Sequence, residues 1–275
     1  MYPEDEGAQM DSMPSGGFKS RASYHLEGLI PLILIVIIVA YLGMQFGFWD
    51  LPFIGGQQPA QMLIIGEPSF DTKYVLDQNP DLVKYRIRTA ESLERSPKEQ
   101  LAQYDIIMLD QSYQANKEVS RQLGEAIENY VKTGGKLITV MDSGILRKGA
   151  ADIVGWKATF GDIVPVSCER GQNDMPTCLP NQAITIVGRI WRQDFDHKIM
   201  EGIEVAPAEP EAAIFLTVFD VAPVGNEIAY VQTIPEGKFY PAIVEKPLII
   251  GKSIYFNYDP GRTRGIFEKT LKYLK

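Results

Sequence analysis

The chain has 275 residues, 45% of them hydrophobic and 23% charged, which is ordinary for a globular protein and leaves room for one large or two small domains. A formal net charge of −8 excludes a polyanion such as nucleic acid as a partner. Two cysteines and two histidines, one of the latter in the N-terminal tail, leave too little ligand chemistry for a structural zinc site.

The first 27 residues are polar, carry Gly, Ser and Pro, and lack apolar runs, so a disordered tail is expected over 1–27. From Gly28 to Trp49 no side chain is charged, and Glu27 and Asp50 bound the stretch. As a helix it would span about 33 Å at ~1.5 Å per residue, enough for a hydrocarbon core of about 30 Å. Tyr41, Phe46, Phe48 and Trp49 crowd one end, as an interfacial aromatic belt does. A buried core helix would rarely stay uncharged for so long, and a signal-peptide core is shorter. The sequence therefore predicts a single transmembrane helix at 28–49, with the lipid bilayer as its partner. Lys19 and Arg21 precede it and the next basic residue is Lys73, which predicts a single-pass signal-anchor topology, tail in the cytoplasm and main domain outside. Residues 50–60 read as a linker.

Beyond the linker, strand and helix patterns alternate. QMLIIG (61–66) is a short apolar strand, 70–78 a helix, and YRIRTA (85–90) a second strand. YDIIMLD (104–110) carries aliphatic residues on both faces, as a strand buried on both sides requires. Val119, Leu123, Ile127 and Val131 share one face of a helix over 118–132, which ends in Thr-Gly-Gly. KLITVMD (136–142) follows as a strand. Strands separated by helices of this length predict parallel βαβ units. The segment 155–215 lacks a clear period and reads as an irregular insertion. Order returns with EIAYVQ (227–232), a strand pair around a turn at Gly251-Lys252, and a closing helix from Arg262 to Leu274. Within the insertion, Cys168 and Cys178 flank a polar stretch with Gly171 and Pro176, and either bridge to close a small loop or stay unrelated thiols.

The order strand, helix, YDIIMLD, helix, TGGKLITVMDSG, then DHKIMEGI, then GKSIYFNYDPG and a terminal helix resembles the class I glutamine amidotransferase-like fold, most closely its ThuA-like branch, over 61–275. The resemblance implies an α/β domain with a doubly wound, mostly parallel sheet of flavodoxin-like or amidotransferase-like order. DHKIMEGI departs from the family's pattern, with Lys198 where a proline is usual. The family's nucleophile is a cysteine at the turn after the fourth strand, served by a histidine from a late loop. Here that turn reads Met141-Asp142-Ser143-Gly144, and the late strand ends Phe256-Asn257-Tyr258-Asp259, so neither cysteine nor histidine is present. Ser143 is a weak substitute nucleophile, since a serine needs a base, and capping explains it equally well.

Ligands of open α/β sheets bind beyond the carboxyl ends of the strands. Glu67, Asp110, Asp142 and Asp259 stand at four such ends. Converging, they would need a hard cation or a cationic ligand, or would have raised pKa values; as helix caps or solvated acids they need neither. Arg262 and Arg264 lie near enough in sequence to pair with them. Trp156, Trp191 and FLTVFD (215–220) supply aromatic faces for a sugar or peptide groove, or for the core. The expectation is a membrane-anchored, non-catalytic amidotransferase-like module that binds a partner protein or ligand at the cell envelope and needs no cofactor. Two alternatives stand beside it: a carboxylate- or metal-dependent hydrolase of envelope glycans, and a structural subunit of a membrane complex, for which the GMQFG stretch supplies Gly43 and Gly47.

Overall fold

The computed structural model describes residues 31–39, 58–171, 174–234 and 237–275. The chain divides into two units, Met1–Gly56 and Gln57–Lys275.

In the first unit, residues 31–39 are helical (α1). This corrects the membrane assignment. Among the described residues no helix is long and apolar enough to cross a membrane. The single-pass signal-anchor topology, the bilayer as partner and the placement of the main domain outside a membrane all rested on a span over 28–49 and fall with it. The rest of that stretch, the tail at 1–27 and linker residues 50–57 lie outside the described residues.

The second unit is an α/β structure. Its elements run β1 (Ala60–Gly66), α2 (Phe70–Asp77), β2 (Val83–Arg88), α3 (Pro97–Leu101), β3 (Ile106–Asp110), β4 (Glu118–Val119), α4 (Arg121–Lys132) and β5 (Lys136–Val140). Then come β6 (Leu146–Arg147), β7 (Ala150–Val154), α5 (Lys157–Phe160), β8 (Val166–Cys168), β9 (Ile184–Arg192), β10 (Val205–Ala206), β11 (Ile214–Val218) and β12 (Val221–Pro223). The chain closes with β13 (Asn226–Thr233), β14 (Phe239–Pro247), β15 (Lys252–Phe256) and α6 (Arg264–Leu274).

One ten-stranded sheet organises the unit. The strands β2-β1-β3-β5-β15 pair in parallel. Their order from one edge, second-first-third-fourth-fifth, is the flavodoxin-like one, in which the chain leaves β1 to one side and then returns to the other. Burial explains the composition: β3 is buried at every position and β1 at all but one, so both carry continuous aliphatic runs. From β15 the sheet continues antiparallel through β14, β13 and β9, which pairs β10 and β11. The central sheet is therefore mixed, with a parallel half and an antiparallel half.

Two expectations need adjustment. The segment 155–215 is not an irregular insertion: β9, β10 and the start of β11 lie in it, and nine-residue β9 is integral to the central sheet. In β9 buried Ile186, Gly188 and Ile190 alternate with more exposed neighbours, and Gly188 lets the backbone of Gln232 in β13 approach, where a Cβ would stand 2.5 Å from its carbonyl oxygen. Residues 118–119 form β4 rather than a helix start; α4 begins at Arg121, after Ser120 caps it by accepting from Leu123 N.

Candidate functional site

At a switch point in an open sheet, the two strands diverge toward loops on opposite sides and leave a crevice. Here the switch lies between β1 and β3, whose last residues, Gly66 and Asp110, face each other across the ladder. Gly66 has φ +125, and a Cβ there would stand 2.0 Å from the Asp110 carbonyl oxygen, so only glycine lets the two strand ends meet. Beyond these ends lies a cleft of about 320 Å³, lined by Asp71, Ser112, Tyr113, Met141, Phe215, Leu216, Thr217, Asp259 and Arg262.

Asp110, the last residue of β3, is 1% exposed and does not itself line the cleft. Its Oδ1 accepts from Ser112 N at 3.1 Å and from Ser112 Oγ at 2.6 Å. Burial pushes its pKa up to about 7, a shift augmented by the Asp259 charge and opposed by the Ser112 hydrogen bonds and by Lys117. Asp142 is also buried, but its Oδ1 is 3.2 Å from Lys117 Nζ. Burial still raises its pKa against that partner. Lys117 Nζ additionally donates to the Gln111 carbonyl, which ties the loop after β3 to the turn after β5.

Asp259 lies three residues beyond β15 and caps the 3₁₀ turn Pro260–Thr263. Its Oδ1 accepts from Ser69 Oγ (2.9 Å), Thr72 Oγ1 (2.8 Å) and Gly261 N (3.0 Å). Of the four strand-end acids, Asp110 and Asp259 thus sense each other, Asp142 is neutralised by a lysine, and Glu67 is exposed and absent from the cleft lining. Among the described residues no group of three or more His, Cys, Asp or Glu is placed to hold a metal ion. Neither arginine singled out in the sequence pairs with Asp259: Arg262 Nη1 lies 3.0 Å from Asp71 Oδ2, and Arg264 Nε 2.8 Å from Glu268 Oε1.

The turn after β5 holds one residue in a left-handed conformation at the cleft. Met141 carries φ +50, a left-handed conformation that costs a non-glycine residue about a kcal/mol or more. The residue so presented to the cleft is a thioether. Ser143, two positions on, is fully buried; its Oγ accepts from Gln111 N at 2.7 Å, while Gln111 Oε1 accepts from Gly144 N at 2.8 Å. That hydroxyl is a brace between two loops. His197 Nε2 lies 2.9 Å from Glu245 Oε2, and neither residue lines the cleft.

The aromatic candidates divide. Trp156 is core: 2% exposed, edge-on to Tyr255 at 5.5 Å, and donating from Nε1 to the Ser143 carbonyl at 2.8 Å. Phe219 is buried, Trp191 is half-buried on β9, and Phe215 lines the cleft. Sequence reasoning missed Tyr113, Lys117 and Asp71, which belong to loops or helix starts and carry no periodic signal. Cys168 and Cys178 form a disulfide with Cα atoms 5.4 Å apart, away from the cleft lining.

No family model matches the chain, and no curated protein matches it. Among solved structures, a cold-adapted β-galactosidase from Rahnella sp. R3 is similar at 11% identity and a TM-score of 0.49, covering 79% of this chain and 31% of its own. A β-galactosidase from Bacillus circulans sp. alkalophilus gives 13% identity and a TM-score of 0.48, over 78% of this chain and 31% of its own. A putative GMP synthase protein from Thermoplasma acidophilum gives 7% identity and a TM-score of 0.40, over 79% of this chain and 94% of its own. The chain spans about a third of the length of the galactosidases it matches. Likenesses of this size assign neither activity nor substrate.

Proposed function

We propose that the chain is a non-catalytic binding module on an amidotransferase-like scaffold, taking a ligand or partner segment into the cleft beyond β1, β3 and β5. The observation that carries this reading is Met141. It occupies the left-handed position of the turn at the cleft, where an acyl-transfer enzyme of such architecture needs a nucleophile, and a thioether cannot be one. The nearest hydroxyl in that turn, Ser143 Oγ, is buried and committed to Gln111 N. The test is turnover of glutamine and of p-nitrophenyl acetate by the purified chain. No turnover above buffer is expected; turnover that disappears in Ser143→Ala would overturn the reading.

A second reading, a carboxylate-dependent hydrolase, is favoured by one observation: Asp110 titrates at about 7 beside a second carboxylate, as a general acid of a carboxylate pair does. It stands second because Asp110 is 1% exposed and does not line the cleft, which leaves no surface for a substrate there to touch. Hydrolysis of aryl glycosides or sugar acetates with a pH midpoint near 7, abolished in Asp110→Asn, would put it first.

A further inference from the structure

The central sheet has two edges, and only one is defended. At one end stands β2, whose sequence VKYRIR carries Lys84, Arg86 and Arg88; charged side chains on an edge strand keep other chains from pairing with it. At the other end β11 pairs with β9 alone among the described residues. Gly188 of β9 is matched both with Thr233 of β13 and with Ile214 of β11, and a strand residue has only two sides, so β11 lies on the outer side of β9. Its sequence, IFLTV, has neither charge nor proline. Among the described residues no backbone hydrogen bond from outside the β9 ladder reaches it. Its outward N–H and C=O groups form an unfilled template for another strand.

The second observation is where that template lies. Phe215, Leu216 and Thr217, three residues in a row, all line the cleft. Side chains of a strand alternate between its faces, so a wall built from three consecutive residues is the strand's edge and not one face. Leu216 and Val218 are buried while Phe215 is 68% exposed, which anchors the strand on one face and leaves the other open. Tyr113 and Met141 add apolar surface to the same cleft, and its charged groups, Asp71, Asp259 and Arg262, leave an excess of one negative charge. A second copy of a chain of net charge −8 would bring more negative charge to this edge, whereas a segment carrying Lys or Arg complements it. Deepening the binding-module reading, on which it rests, we propose that the cleft takes an extended peptide segment of a partner protein, apolar in its middle and basic at one end, which adds to β11 as a further strand of the sheet. Backbone hydrogen bonds to residues 215–217 hold the segment, and alternate side chains rest on Tyr113 and Met141.

The probe is the acetylated and amidated hexapeptide ITIVGR, a copy of residues 184–189, whose first five residues β11 already accepts on its inner side. In isothermal titration with the full chain it is expected to bind. The same peptide N-methylated on its four central amides should bind about tenfold or more weakly, as lost backbone hydrogen bonds require. Hydrogen exchange of the amides of 214–218 should slow about tenfold in the complex. Phe215→Lys changes an exposed side chain and puts a cation on the edge, as β2 has; it should weaken binding about tenfold and leave the melting temperature in place. No binding, equal binding of the N-methylated peptide, unchanged exchange at 214–218, or unchanged affinity in Phe215→Lys would each overturn the inference. So would a concentration-dependent dimer whose 214–218 amides are protected without peptide, since a second copy would then be the occupant. None of these outcomes touches the non-catalytic reading, which the turnover assays decide.

Discussion

Asp110 shows how one side chain links sequence position to a whole-protein property. It ends a strand of aliphatic residues, IIMLD, so the same hydrophobic run that makes β3 a core strand carries the carboxylate out of water. Burial raises its pKa to about 7, against an ordinary value of about 3.9. The folded state therefore holds the proton more tightly than the unfolded one. The associated stability is complete below about pH 4 and is lost as pH rises through 7. Asp110→Asn, nearly isosteric and still able to accept from Ser112, removes that loss. The variant should gain on the wild type by up to about 4 kcal/mol between pH 4 and pH 8 in paired urea melts. A constant difference across that range would show that the buried acid is not the titrating group.

Among the elements, the segment around β8 and β12 depends most on covalent help. These strands are three residues each and form a two-stranded sheet of their own, a size that is marginal in water. Val221 pairs with Cys168, and Cys168 is bonded to Cys178, so the bridge fixes the polar stretch 168–178 to a pair of strands too short to hold it. Closing a loop of this length is worth about 2–3 kcal/mol in the chain-entropy account. The paired substitution Cys168→Ser and Cys178→Ser should cost that much in denaturant melts, and an unchanged midpoint would show that the bridge does not hold this segment. The polar spacing made a bridge a reasonable expectation; that Cys178 is fully buried while Cys168 is half-buried was not readable from it.

At the scale of the molecule, the sheet has two halves with different protection. In β1, β3, β5 and β15 nearly every residue is buried, whereas β9 and β13 mix buried positions with half-buried and exposed ones. Strands covered on both faces open only with the whole domain; strands covered less completely open locally. Native-state hydrogen exchange should therefore find the amides of β1, β3, β5 and β15 exchanging at the global unfolding limit and those of β9–β11 about tenfold or more faster. Uniform protection across the sheet would contradict this division.

The same division explains what was legible. Continuous aliphatic runs are a signal of doubly covered parallel strands, so QMLIIG, YDIIMLD and KLITVMD located β1, β3 and β5 nearly to the residue. The α/β class followed from the helices between them. β9 was invisible, because Thr185, Gly188 and Arg189 interrupt its pattern and its pairing with β13 is forty residues distant. The membrane span failed for another reason. Hydropathy over 28–49 measures the cost of leaving water and does not by itself establish a helix, and among the described residues none is long and apolar enough to cross a membrane. At the site, the strand-end acids were named by a topological rule that needs only the strands. That Asp142 is the paired one depended on Lys117, whose side chain arrives from a loop. Sequence alone determined the aliphatic strands and the acids at their ends, because both are local consequences of burial. Tertiary structure alone decided that Met141 takes the left-handed position of its turn, that Ser143 is a brace, and that Asp142 pairs with Lys117 while Asp259 caps a turn, because pairing is set by distance in space and not by position along the chain.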